Sequence, residues 1–238
     1  VNVTATAVTQ ITGTAAQLAT TYGGGITGLG DETIVLTDTT LAAATLTPTV
    51  NNYSSVAINA NSVTTLTGTN AEILAVYTAD AASTVIVDTD AKLTVSDSIT
   101  HTEANVLNGK TSAAVTATIS TTAIGDLDDI VGSGNAYTIT VATADVTAAA
   151  LNTVNAATTV EVTATAVTKI TGSNADLVTL YTADGNSEIN IDGNALLVVS
   201  DSITHTEANV LNGYTSAAVT ATISTTAIAD LDDIAGSG

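Results

Sequence analysis

Cysteine, methionine, tryptophan, phenylalanine and arginine are all absent from this chain, proline occurs once, and the only lysines are Lys92, Lys110 and Lys169. Without cysteine there is no disulfide, no thiolate metal site and no thiol nucleophile, and the redox compartment is left open. With three cationic side chains in 238 residues, the chain cannot neutralise a run of phosphates, which excludes nucleic-acid binding. The same shortage disfavours anionic lipid surfaces. No apolar run approaches the roughly 18 residues of a membrane span, and Val1 does not open a signal peptide.

What is present is acidic and small. Asp and Glu number 23, the formal charge is -20 and the sequence pI is near 4.1. Thr and Ala together make up roughly 38% of the residues, against a usual globular mixture rich in Leu, Lys and Glu. A hydrophobic content of 45% is enough for a core, but one built from small and β-branched side chains.

Repeats organise these residues. Asp97 to Ala123 recurs at Asp201 to Ala227 with a single change, Lys110 to Tyr214, so the long period is 104 residues. Val63 to Tyr77 recurs at Val167 to Tyr181 with the same offset. Inside it runs a shorter period, anchored at Ile11, Leu41, Leu66, Ile99, Ile124, Val146, Ile170, Ile203 and Ile228. The anchors lie 22 to 33 residues apart, close to the roughly 20 to 30 per coil of strand-plus-helix solenoids.

Alternating β-branched runs precede the anchors, as in residues 1–7, 114–120, 137–144 and 160–166, and read as strands with one buried face. This predicts Val1, Val3, Ala5, Val115, Ala117 and Ile119 inward and Thr4, Thr6, Thr116 and Thr118 outward. Thr69 with Glu72 and Thr100 with Glu103 fit the capping box, in which a Thr oxygen and a Glu carboxylate satisfy orphan backbone donors reciprocally. Asn108-Gly109 and Asn212-Gly213 predict left-handed stops after helices of about two turns. Strand, short helix and return loop, repeated, place strands parallel and side by side. The expected fold is therefore an α/β solenoid, a parallel sheet of about nine strand and short-helix coils, about 43 Å long at roughly 4.8 Å per coil. The alternative is a pure parallel β-helix. Residues 1–238 read as one continuous segment, with extra rim strands at Thr84–Asp90 and Glu188–Asp192 and a local irregularity at Pro48. Both ends fall inside a repeat without a polar cap, from which a longer parent protein is expected.

Candidate chemistry is sparse. His101 and His205 occupy one repeated position about 19 Å apart on that geometry, too far to share a metal, and no GxSxG elbow is present; the chain reads as non-enzymatic. Asp184, Asn186, Glu188, Asn190, Asp192 and Asn194 alternate with Gly185 and Gly193 among them, so a strand there presents oxygen ligands suited to calcium. The earlier copy keeps only Asp80, Asp88 and Asp90, with Ala82, Thr84 and Ile86 replacing the rest. A weaker acidic cluster is Asp126, Asp128 and Asp129 with its copy Asp230, Asp232 and Asp233. The outward pairs Thr4/Thr6, Asn59/Asn61, Thr94/Ser96, Thr116/Thr118, Thr138/Thr140, Thr163/Thr165 and Thr220/Thr222 predict two files on the open sheet face. Such files suit an adhesive or ice-binding surface, or simply a solvated β face. Asn2-Val-Thr4 fits the glycosylation sequon.

Residues 166–185, 97–109 and 134–162 resemble the Thr/Ala-rich tandem repeats of giant bacterial cell-surface proteins, of the cyanobacterial swimming-motility type. The resemblance is one of repeat style and spans essentially the whole chain. It implies an extracellular, acidic structural or adhesive array, neighbouring repeats as partners, self-association or cell-surface contact, and an association with calcium.

Overall fold

The computed structural model describes residues 3–235; Val1, Asn2 and its sequon, and positions 236–238, lie outside the described residues. The chain divides into two compact units, 1–118 and 119–238.

In the first unit the elements are β1 (Val3–Thr4), β2 (Gln10–Gly13), α1 (Ala15–Gly23), β3 (Ile26–Thr27), β4 (Thr33–Leu36) and β5 (Thr40–Ala42). An irregular helical stretch, Thr45–Thr49 and Val50–Asn52, contains Pro48 after a cis peptide bond. There follow β6 (Ile58–Ala60), β7 (Thr65–Gly68), α2 (Asn70–Ala81), β8 (Val85–Val87), β9 (Lys92–Ile99), α3 (His101–Asn108) and β10 (Val115–Ile119). The second unit holds α4 (Ile124–Leu127), β11 (Ala136–Thr138), β12 (Asp145–Thr147), α5 (Ala148–Ala156), β13 (Val162–Ala164) and β14 (Lys169–Gly172). It continues with α6 (Asn174–Gly185), β15 (Ile189–Ile191), β16 (Leu196–Ile203), α7 (His205–Asn212), β17 (Val219–Ile223) and α8 (Ile228–Leu231).

The class is α/β, with several short sheets and no closed barrel among the described residues. In the first unit β1 pairs with β3, the order β2-β4-β6-β8 forms one sheet, and β5, β7, β9 and β10 adjoin in another. In the second, β12-β14-β16-β17 form one sheet and β13-β15 another. Every pair whose register is described is parallel.

That register lines like side chains up. In the first unit Leu41 pairs with Leu66 and Leu66 with Leu93, while Ile34, Ile58 and Val85 form a second file. In the second unit Val146, Ile170, Leu197 and Val219 stack in one file and Val162 pairs with Ile189. Ile34, Ile58, Val85, Ile170, Leu197 and Ile189 are fully buried. Burying each such side chain is worth about 1.5–3 kcal/mol, so the stacked files are the main favourable term. A one-residue slip would turn every file toward water, which is why alternation specifies the register.

Helices cover these files with a stripe at i, i+3, i+4. In α2 the stripe is Ile73, Val76 and Tyr77; in α6 it is Leu177, Leu180 and Tyr181, all buried. The expected capping boxes are present at Thr69/Glu72 and Thr100/Glu103, with others at Thr14/Gln17 and Thr204/Glu207. Two-turn helices hold for α3 and α7, but α2 and α6 run for 12 residues.

Other expectations need correction. Val3 is 50% exposed, because β1 pairs only with β3 and no layer covers it, whereas Val115, Ala117 and Ile119 are buried as expected. Gly109 and Gly213 are not left-handed, with φ of -74° at both. Their use is steric: a Cβ on Gly213 would stand 3.2 Å from the Val210 carbonyl oxygen. Left-handed stops fall instead on Gly25 after α1, with φ of 77°, and on Ser83 and Ser187 after α2 and α6, with φ of 58° and 60°.

Candidate functional site

Several helix starts are completed by a side chain from further along the chain. The Asn70 N–H donates to Asp97 Oδ1 at 2.8 Å and the Asn174 N–H to Asp201 Oδ1 at 2.9 Å. Asn70 and Asn174 Nδ2 then donate to Glu103 and Glu207 Oε1, both at 3.0 Å. The same device recurs with other residues: Ala15 N–H to Asp38, Ile124 N–H to the Thr143 hydroxyl and His205 N–H to the Thr225 hydroxyl. An acceptor placed there satisfies an orphan donor and sits at the positive end of the helix dipole. Glu103 and Glu207 are held below the usual carboxylate range. The cause is first the N–H of their own N-cap threonine, then its hydroxyl, and among smaller contributions the Asn amide. Asn70 and Asn174 Oδ1 are buried without a partner.

The six residues expected to bind calcium do not share a strand face. Asp184 lies in the last turn of α6 and its Oδ1 accepts the Ile191 N–H at 2.9 Å, clasping the helix end to β15. Asp80 repeats this with the Val87 N–H at 3.1 Å. Asn186 is the C-cap of α6 and reaches Glu188 at 3.5 Å, as does Asn155. Asn190 alone of the six is inside a strand, exposed on β15 and paired with Thr163. Asp192 Oδ1 accepts the Asn194 N–H at 3.0 Å, and Asn194 Oδ1 accepts from the Ser216 hydroxyl. The helix runs further than the alternation suggested because Asn174–Gly185 carries the Leu177, Leu180, Tyr181 stripe. Among the described residues no three His, Asp or Glu side chains gather as a metal group. The charges of Asp184 and Asp192 both act on the Tyr181 phenol.

Tyr181 is pushed up to about 12 by burial first, then by the charges of Asp184 and Asp192; Tyr77 reaches about 12 by burial, Asp80 and Asp88. Both phenol oxygens are buried and unpartnered. Here the single change between residues 97–123 and 201–227 acts. Tyr214 stacks on Tyr181 with centroids 4.8 Å apart and planes 3° from parallel. Its counterpart Lys110 borders a cleft of about 190 Å³ with Tyr77, Asp80 and Asp88. Asp90 is raised above the usual carboxylate range by its hydrogen bond to Asp88, then by that neighbour's charge. In the second unit Asn194 replaces it and donates to Asp192 at 3.2 Å instead.

The histidines open α3 and α7, each with Nε2 at 3.1 Å from the next residue's hydroxyl, Thr102 or Thr206. The expected Thr files are interrupted: Thr140 pairs with Thr163, but Asn59 pairs with Val35 and Ile86, Thr163 with Asn190, and Thr220 with Val198. Thr40, Thr65 and Lys92 form another interrupted file. Asp145 and Lys169 pair across strands at 2.6 Å, an exposed bridge worth about 0–1 kcal/mol. No helix among the described residues is long and apolar enough to cross a membrane. No protein-family model, curated protein or solved structure matches the chain.

Proposed function

We propose that this chain is a structural repeat segment of a very large secreted or cell-surface protein, a non-enzymatic α/β solenoid whose stacked coils form an extended acidic filament. The observation that carries this reading is the repetition of one cross-repeat clasp, Asn70 with Asp97 and Glu103, then Asn174 with Asp201 and Glu207. Conserving its geometry over 104 residues supports a role for the repeat as a stacking unit. The charge of -20 supports an extracellular, hydrated rod that repels its lateral neighbours. Broken Thr files favour this spacer over an adhesive or ice-binding face.

Calcium belongs to the reading as a ligand of the stretch from Asp184 to Asn194. Asp184 and Asp192 each commit Oδ1 to a local N–H beside the same phenol, which leaves their second oxygens for a hard cation. Two carboxylates make a weak site, so its contribution is to stability rather than to chemistry.

Small-angle scattering on the chain, and on a tandem with one further 104-residue repeat, tests the filament. The longest dimension should grow by about 19 Å per added repeat at roughly 4.8 Å per coil, with an unchanged cross-section. A particle that thickens without lengthening would overturn it.

A further inference from the structure

We propose that the cleft beside Tyr77 takes the guanidinium of an arginine side chain from another protein, laid flat against the phenol ring between Asp80 and Asp88. The cleft, of about 190 Å³, lies within the first unit and is bordered by Tyr77, Asp80, Val87, Asp88, Gly109 and Lys110. Its shape, an unmatched polar atom and its charge all point to a flat cation.

The shape is read from the same place 104 residues on. Tyr181, Asp184, Asp192 and Gly213 repeat Tyr77, Asp80, Asp88 and Gly109, but Tyr214 stands where the first unit has Lys110. The Tyr214 ring lies on Tyr181 with centroids 4.8 Å apart and planes 3° from parallel. A planar group is therefore what this frame accommodates on its tyrosine, and that spacing is inside the about 6 Å at which a ring attracts a cation over its face. Lys110 brings no ring; it is exposed, and its unbranched stem can turn aside.

The unmatched atom is the Tyr77 phenol oxygen. Tyr77 is 8% exposed, and this oxygen is buried without a hydrogen-bond partner. A buried oxygen left so is costly until a donor meets it, and a guanidinium brings several N–H donors in one plane.

The charge comes from three carboxylates. After burial, the charges of Asp80 and Asp88 are what raise the Tyr77 phenol, so both lie within electrostatic reach of it. Each commits Oδ1 to a local N–H, that of Val87 at 3.1 Å and that of Asp90 at 3.3 Å, and keeps Oδ2 for an incoming donor. Asp90 is hydrogen-bonded through its side chain to Asp88, as two carboxylates are when no cation separates them. Among the described residues the one ion pair is Lys169 with Asp145, so Lys110 closes on none of the three. A guanidinium forks onto carboxylates and stacks on aromatic faces, whereas an ammonium is a point charge. The chain has no arginine, so the group comes from elsewhere, and a charge of -20 draws in a basic segment. This site goes beyond the filament reading and does not depend on it.

The test is a titration of the isotope-labelled chain with acetyl-Gly-Arg-Gly-amide and with acetyl-Gly-Lys-Gly-amide, each to about 20 mM at about 0.15 M salt, followed by amide chemical shifts. The arginine peptide should give saturable shifts confined to residues 80, 87–90 and 109–110, and the lysine peptide should bind at least about threefold more weakly. Lys110→Tyr fills the place as Tyr214 does in the later repeat, where the fold accepts it, and should weaken the arginine peptide at least about tenfold. Because that substitution removes a positive charge, electrostatics alone would tighten binding. Asp88→Asn leaves the cleft open and should weaken the peptide at least about threefold. Tyr214→Lys should open a second site, with new shifts at Asp192, Gly193 and Gly213. A wild-type chain without saturable shifts would overturn the proposal. So would unchanged binding by Lys110→Tyr, or equal shifts from both peptides spread over the acidic surface, the mark of counter-charge alone.

Discussion

The Asp201 carboxylate accepts a hydrogen bond from the backbone N–H of Asn174 at 2.9 Å, so α6 is completed by a residue 27 positions further on. A kink in the ladder places it there. Val198 pairs with Thr220 and Ser202 with Thr222, so Val199 to Asp201 stand opposite Ala221 alone. Such a bulge bends the strand and re-aims its side chains. The start of α6 thus depends directly on the strand β16 that follows it.

Removing that acceptor should therefore loosen a neighbouring repeat. Asp201→Ala is expected to cost about 0.5–2 kcal/mol in urea unfolding, the range for a lost helix cap. Asp201→Asn keeps an acceptor and loses only the charge at the helix start, about 0.3–1 kcal/mol. Equal losses in the two variants would show that the bond itself contributes nothing.

Ser83 and Ser187 sit in the left-handed region, where a Cβ crowds the following carbonyl. Gly at both positions should stabilise the chain, by up to about 1 kcal/mol per site less the added freedom of the unfolded chain. A lower melting temperature in Ser83→Gly would mean that the serine hydroxyl outweighs the strain.

Acid should weaken the clasp. The folded-state pKa values of Glu103 and Glu207 are depressed, so their contribution is complete above the unfolded carboxylate value and is lost as pH falls through the folded value. Glu103→Gln/Glu207→Gln should flatten the fall in melting temperature on acidification. An unchanged slope would assign the acid response to other carboxylates.

Alkali acts with the opposite sign. Tyr77, Tyr137 and Tyr181 are raised to about 12, chiefly by burial, so the folded state is favoured below about 10 and loses that advantage as pH rises toward 12. Ultraviolet titration should find these three phenols un-ionised in the folded chain at about pH 11, and denaturant should release them. Ionisation at about 10 in the folded chain would mean their oxygens are not buried.

Calcium at millimolar concentration should raise the melting temperature, an excess of chelator should reverse it, and magnesium should do less, because a ligand of the native state stabilises by mass action. Asp192→Asn should remove most of the shift. An equal shift with magnesium would reduce the effect to screening of the net charge.

Much of this was legible from short-range pattern. Val115, Ala117 and Ile119 alternate and are buried; Thr69 and Thr100 each stand three residues before a glutamate and cap a helix. These are decided by strand and helix geometry within a few residues. The shared strand face expected over Asp184 to Asn194 did not form because its alternation coincided with a helical stripe, Leu177, Leu180 and Tyr181, whose burial extended α6 through Gly185. Polar spacing of two lost to apolar spacing of three and four.

By itself, the sequence determined the parallel α/β class, the periods, the acidic surface and the helix starts, since each follows from periodicity or from bonds between residues close in the chain. Tertiary structure alone decided that Asp97 and Asp201 cap the helices before them, that Ser83 and Ser187 take left-handed stops, and that Val3 is exposed and Val219 half-exposed while Val162 and Val115, in identical local sequence, are buried. Identical residues differ there because burial depends on which strand lies alongside, and no local pattern carries that.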